Sequence, residues 1–96
     1  MLRKLKRWWV RDPAEEERRL LRALAETPGD YREVTGLADA AGLGATAYPL
    51  LTELSRRGWV EHGWLETPGG PRLAYRLTRA GTARLSDAPG DGRARA

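Results

Sequence analysis

Apolar residues fall into separate groups along this chain, and the groups do not share one period. Leu20, Leu21 and Leu24 recur at the spacing of a single helix face, and Leu37, Ala38 and Ala41 do the same further on. Ala47, Leu50, Leu51 and Leu54 stand at i, i+3, i+4 and i+7, a third buried helical stripe. Over residues 72–77 the period drops to two. Leu73, Tyr75 and Leu77 alternate with Arg72, Ala74 and Arg76, as on a half-buried strand. Three helices followed by a strand are therefore predicted. A further group, Leu2, Leu5 and Trp9 with Trp8 beside it, would share a face if the N-terminus is helical.

Boundary signals sharpen these elements. Asp12-Pro13-Ala14-Glu15 is a strong helix start, with a capping carboxylate, proline at the first helical position and Glu15 at capping-box spacing. Thr27-Pro28-Gly29 stops that helix. Tyr31 and Val34 lead into the second, with Thr35 as its expected cap, and Gly42-Leu43-Gly44 makes the turn to the third. The third helix is predicted over about Thr46 to Arg57. Pro49 lies close to its first turn, where a missing N–H costs little, and Gly58 ends it. Trp59 to Glu66 reads as a first strand with imperfect alternation. Thr67-Pro68-Gly69-Gly70-Pro71 is a turn cluster, so the strand after it closes a hairpin. Thr78 is placed to cap a short last helix ending near Leu85 or Ser86. Gly81 inside that helix implies a close packing contact, because it costs about 1 kcal/mol relative to Ala.

This order predicts an α+β, mostly α, winged helix-turn-helix: a three-helix core, a two-stranded β-wing and a short C-terminal helix. The domain spans residues 12–86. Residues 1–11 form a basic, Trp-containing arm or helix, and 87–96, with no apolar stripe, a disordered tail. Ninety-six residues suffice for one small core and not for a large enclosed cleft.

The net charge of +4 favours a polyanionic partner, and its distribution says more than its sum. Residues 1–11 carry five basic groups and no acid. Residues 12–39 carry four basic and eight acidic groups, and residues 40–85 carry six basic and three acidic. The middle segment is expected to face away from a nucleic acid and the two basic segments toward it. There is no cysteine and one histidine, His62, so neither a thiolate metal site nor a Ser/His/Asp set is supported. No enzyme and no cofactor are expected. No apolar run approaches the roughly 20 residues of a membrane span, a membrane partner is not expected, and the chain is assigned to the cytoplasm.

One set of spaced residues carries a family resemblance. It runs Thr46-x-Tyr48-Pro49-x-Leu51-x-x-Leu54-x-x-Arg57-Gly58-Trp59-Val60-Glu61, then Trp64, then Gly70-Pro71-Arg72, then Tyr75-Arg76-Leu77-Thr78-x-x-Gly81. This resembles the PadR family of bacterial transcription regulators over roughly Leu20 to Leu85. The resemblance implies a winged helix-turn-helix, double-stranded DNA as partner and a role in transcription. Such proteins usually continue into a long C-terminal dimerisation helix, and Pro89-Gly90 departs from that pattern. A small-molecule effector is possible within the family, and no residue here supports one.

The expected DNA contacts are Ala45, Thr46, Tyr48, Pro49, Thr52 and Arg56, with the third helix (45–57) in a major groove. Gly70 and Arg72 are expected at the wing tip (67–72), on the backbone or in a minor groove. The helix front offers methyls and hydroxyls but no Asn, Gln or Arg for bidentate base contacts, so modest direct readout is expected. Arg57, Arg76 and Arg79 are alternative phosphate contacts or surface ion pairs. Trp59, Trp64 and Tyr75 are expected to pack in the core or wing, and His62 to be a bystander. Leu2, Leu5, Trp8 and Trp9 are left with three readings: packing on the domain or across a homodimer, an arm on DNA, or docking on a membrane or protein. The last defines an alternative function, a winged-helix adaptor.

Overall fold

The computed structural model describes residues 12–87. The arm with Leu2, Leu5, Trp8 and Trp9, and the tail from residue 88, lie outside the described residues.

Helix α1 (Pro13–Ala25) starts where the sequence places it. Asp12 Oδ1 accepts a hydrogen bond from Glu15 N at 3.4 Å, and Pro13 occupies the first turn. Glu15 does not complete a capping box; its carboxylate pairs instead with Arg18 at 3.1 Å and Arg19 at 3.6 Å. Strand β1 (Arg32–Glu33) is followed at once by α2 (Val34–Ala41). A 3-10 turn (Gly44–Thr46) leads into α3 (Ala47–Arg56). Gly58, with φ +80°, closes α3: Gly58 N and Trp59 N donate to the carbonyls of Ser55 and Leu54, each at 3.0 Å. Strands β2 (Val60–Thr67) and β3 (Gly70–Leu77) form the wing. Helix α4 (Arg79–Ser86) is capped by Thr78 Oγ1, which accepts from Gly81 N at 3.0 Å.

The stripes predicted as buried meet in one core. Leu20, Leu24, Leu37, Leu51 and Leu54 are fully buried, with Val60, Tyr75 and Leu77 from the base of the wing closing one side. Burial of each large aliphatic side chain contributes about 1.5–3 kcal/mol. Gly81 is at a close contact as expected. A methyl there would collide with the Trp59 carbonyl and come within 2.8 Å of Leu77, so only glycine lets α4 lie this close to the start of β2.

Three features depart from the sequence reading. The wing belongs to a three-stranded antiparallel sheet of order β1-β3-β2, with Arg32 opposite Tyr75 and Glu33 opposite Ala74. Because the chain is paired to β3 until Glu33, α2 begins at Val34, and Thr35 lies inside the helix instead of capping it. Glu33 takes the cap position without a side-chain capping bond. Ala74, placed by alternation on the polar side, is fully buried, between Glu33 of β1 and Gly63 of β2 in the sheet.

Candidate nucleic-acid interface

The outward face of α3 is assembled by helical periodicity alone. With Ala47, Leu51 and Leu54 buried, Tyr48, Pro49, Thr52 and Arg56 are exposed. Ala45, also exposed, and half-buried Thr46 lie in the preceding 3-10 turn. The structure therefore groups these sequence-predicted residues along the turn and one side of one helix. The Thr52 hydroxyl donates back to the Tyr48 carbonyl at 3.1 Å, a bond that leaves its oxygen still able to accept.

The charged ends of α3 are already partnered. Arg56 donates to Glu53 at 2.7 Å and Arg57 to the other Glu53 oxygen at 3.1 Å. Arg57 also reaches Glu17 on α1 at 3.4 Å. Burial alone would raise the Glu53 pKa; the hydrogen bonds and charges of Arg57 and Arg56 outweigh it and hold the carboxyl below its ordinary value. Arg57 and Arg84 both lie over the half-buried Trp59 ring, with guanidinium carbons 5.1 and 4.8 Å from its centroid. Trp59 thus packs as expected. Arg79 at the start of α4 is exposed, with no ion pair among the described residues.

In the wing, β2 pairs with β3 from Val60↔Leu77 to Thr67↔Gly70. The tip is knitted by Thr67 Oγ1, which donates to the Gly70 carbonyl at 2.7 Å and accepts from Gly69 N at 3.2 Å. Arg72 lies on β3 on the outer side of the sheet, where its Nε donates to Glu33 at 2.7 Å. On the same side Arg76 bonds Glu61, which pushes its already high pKa further up, and lies 4.8 Å from the centre of the Tyr31 ring. Tyr31 rests in a notch left by Gly63, where a methyl would come within 2.5 Å of the ring.

The inner side of the wing, toward α3, is different. There α3 and the hairpin enclose an open groove of about 400 Å³. It is lined by Tyr48, Thr52, Ser55 and Arg56 from α3, by His62 and Trp64 from β2, and by Leu73 and Tyr75 from β3. Tyr75 forms part of its floor at 4% exposure. Burial pushes its phenol pKa up, against the opposing hydrogen bond from Thr52. Trp64 departs from expectation: it is 64% exposed. On the inner face Val60, Tyr75 and Leu77 are covered by the core, while His62 and Trp64, further along β2, extend past that cover. His62, expected to be a bystander, stands on the same groove wall. Sequence reasoning placed neither residue on a groove wall. The signal was available in the alternation of β2, where His62 and Trp64 share a side with Val60.

Among the described residues no group of three or more His, Asp or Glu could hold a metal, and no helix is long and apolar enough to cross a membrane. The fold is a helix-turn-helix with a β-wing, and no carboxylate lines the groove between them. The model of the PadR-like transcriptional regulator family matches residues 31–87, more than half of the chain. The protein belongs to that family.

Solved structures agree on the fold. A PadR-like transcription factor from Bacteroides fragilis is 24% identical, with a TM-score of 0.66 over 85% of this chain and 84% of that one. A putative transcriptional regulator from Thermoplasma acidophilum is 20% identical, with a TM-score of 0.69 over 85% and 84%. The PcaV transcriptional regulator of Streptomyces coelicolor, solved with its natural ligand, is 28% identical, with a TM-score of 0.59. That match covers 82% of this chain but 54% of PcaV. No curated protein sequence matches the chain.

Proposed function

We propose that this protein is a sequence-specific, duplex-DNA-binding transcription regulator. In this reading α3 enters a major groove through Ala45, Thr46, Tyr48, Pro49 and Thr52, Arg56 meets a phosphate, and Gly70 and Arg72 bring the wing to the backbone or a minor groove. The observation that carries it is the exposed front of α3. It bears small residues, methyls and hydroxyls, and the one acid on the helix, Glu53, is turned into pairs with Arg56 and Arg57. Such a face can approach base edges closely while the flanking arginines meet phosphates. A homodimer would set two α3 helices about 34 Å apart, one turn of DNA, and so read a near-palindrome.

The test is binding of labelled duplex DNA across a salt series. With about four arginines on phosphates, log K is expected to fall against log salt with a slope near −3.6, from about −0.9 per contact. Tyr48→Ala and Thr52→Ala should weaken binding and leave the melting temperature nearly unchanged, since both residues are exposed. Absence of binding at low salt, or an affinity independent of salt, would refute the DNA reading.

A further inference from the structure

The large apolar side chains that stand exposed among the described residues are Tyr48 at 53% and Trp64 at 64%. They come from different elements, α3 and β2, yet they line the same groove. An indole left this open exposes a large apolar face and an N–H donor, and such groups are characteristic of interaction surfaces. The groove between the two rings is lined by no carboxylate; it presents the His62 imidazole, the hydroxyls of Thr52 and Ser55, and the Arg56 guanidinium, which is paired with Glu53. The nearest acid on that side of β2, Glu66, lies toward the tip opposite Pro71 and is not part of the lining. A lining free of carboxylates fits a polyanion, and flat apolar faces fit sugars.

We propose that the groove between α3 and the wing seats one strand of the bound duplex, and that Trp64 is the wing's principal contact with it. The indole ring packs on a deoxyribose and its Nε1–H donates to a phosphate oxygen. Tyr48 and Thr52 approach the same strand from α3. This assignment rests on the DNA reading and adds to it that the wing engages DNA through its helix-facing side. The arginines on its outer side, Arg72 and Arg76, are paired with Glu33 and Glu61 and lie on the face opposite this groove.

The test uses the full chain and a mixed-sequence, fluorescein-labelled duplex of about three helical turns, roughly 30 bp. Binding is followed by anisotropy across a salt series. Trp64→Ala should weaken binding at least about fivefold, the lower range for a lost aromatic contact to nucleic acid, and leave the salt slope unchanged. Trp64→Phe should fall between wild type and Trp64→Ala, because the ring stays and the N–H donor goes. Trp64→Glu, which sets a carboxylate against the phosphates, should weaken binding more than Trp64→Ala does. Arg56→Ala should instead make the slope shallower by about 0.9. Thermal melting of each variant checks folding, and Trp64→Phe carries the comparison if Trp64→Ala unfolds. Wild-type affinity in folded Trp64→Ala and Trp64→Glu would overturn this assignment and leave the DNA reading standing. If the wild type binds no duplex, both fall together.

Discussion

The two sides of the wing are made by the same sixteen residues of hairpin and have opposite characters. The outer side is charged and closed on itself: Arg72 with Glu33, Arg76 with Glu61, and Tyr31 laid between Arg76 and Gly63. The inner side carries Tyr75 below and Trp64 above, with no acid in the groove they share with α3. Charge counted along the sequence points to the arginines as the DNA contacts. The structure shows that a guanidinium can be exposed and still engaged, whereas an uncharged indole stands open. Availability, more than charge, separates the two sides.

Five substitutions would break or sharpen this contrast. The largest effect is expected on the inner side, where exposure changes most steeply. Tyr75→Ala removes a buried aromatic that forms the groove floor and should cost about 3–5 kcal/mol in denaturant unfolding. Trp64→Ala, on the same side, should cost little; equal losses would mean that Trp64 is a core residue. Next comes the outer side, where Gly63→Ala drives a methyl into the Tyr31 ring. Overpacking of this kind should destabilise by about 1–3 kcal/mol. A neutral result would show that Tyr31 can leave its notch freely.

The smallest effect concerns the Arg72–Glu33 pair, whose side chains are 50% and 30% exposed. A solvent-exposed pair of this sort is worth about 0–1 kcal/mol, so Glu33→Gln should barely move the melting temperature. It removes one negative charge and frees Arg72, and should tighten DNA binding with a salt slope steeper by about 0.9. Arg72→Ala should make the slope of the wild type shallower by no more than that amount. If neither variant alters the slope, Arg72 does not meet a phosphate, and the wing's contact is confined to its inner side.

Features fixed by near neighbours in the chain were legible in the sequence. Asp12-Pro13, Thr78 and Gly58 start or stop helices through bonds to residues three to five positions away. The stripe of Ala47, Leu50, Leu51 and Leu54 set the outward face of α3, and with it the exposure of Tyr48 and Thr52. What escaped depends on distant partners. Two residues carry no period, so β1 is a strand only because β3 presents a free edge to Arg32 and Glu33. Arg72 finds its carboxylate 39 positions upstream. Trp64 was assigned to packing because large aromatics usually pack. Its exposure depends on how far along the hairpin the core extends, which no local pattern encodes. The apolar N-terminal residues Leu2, Leu5, Trp8 and Trp9, proposed for a dimer or partner interface or an arm on DNA, lie outside the described residues.

The small strand β1 has a consequence beyond completing a sheet. It ties β3 to the segment that opens α2, while Thr78 Oγ1 donates to the Gly58 carbonyl at 2.6 Å and joins the other end of the hairpin to the close of α3. The wing is thereby braced at its base, and the gap between it and α3 is set during folding. On the DNA reading, little ordering entropy is then left to lose at the moment of association. A preset gap also acts as a gauge. On that reading, duplexes whose backbone already matches its width would bind without deformation and stiffer or wider ones would pay an elastic penalty, so discrimination would reach base pairs that no side chain touches.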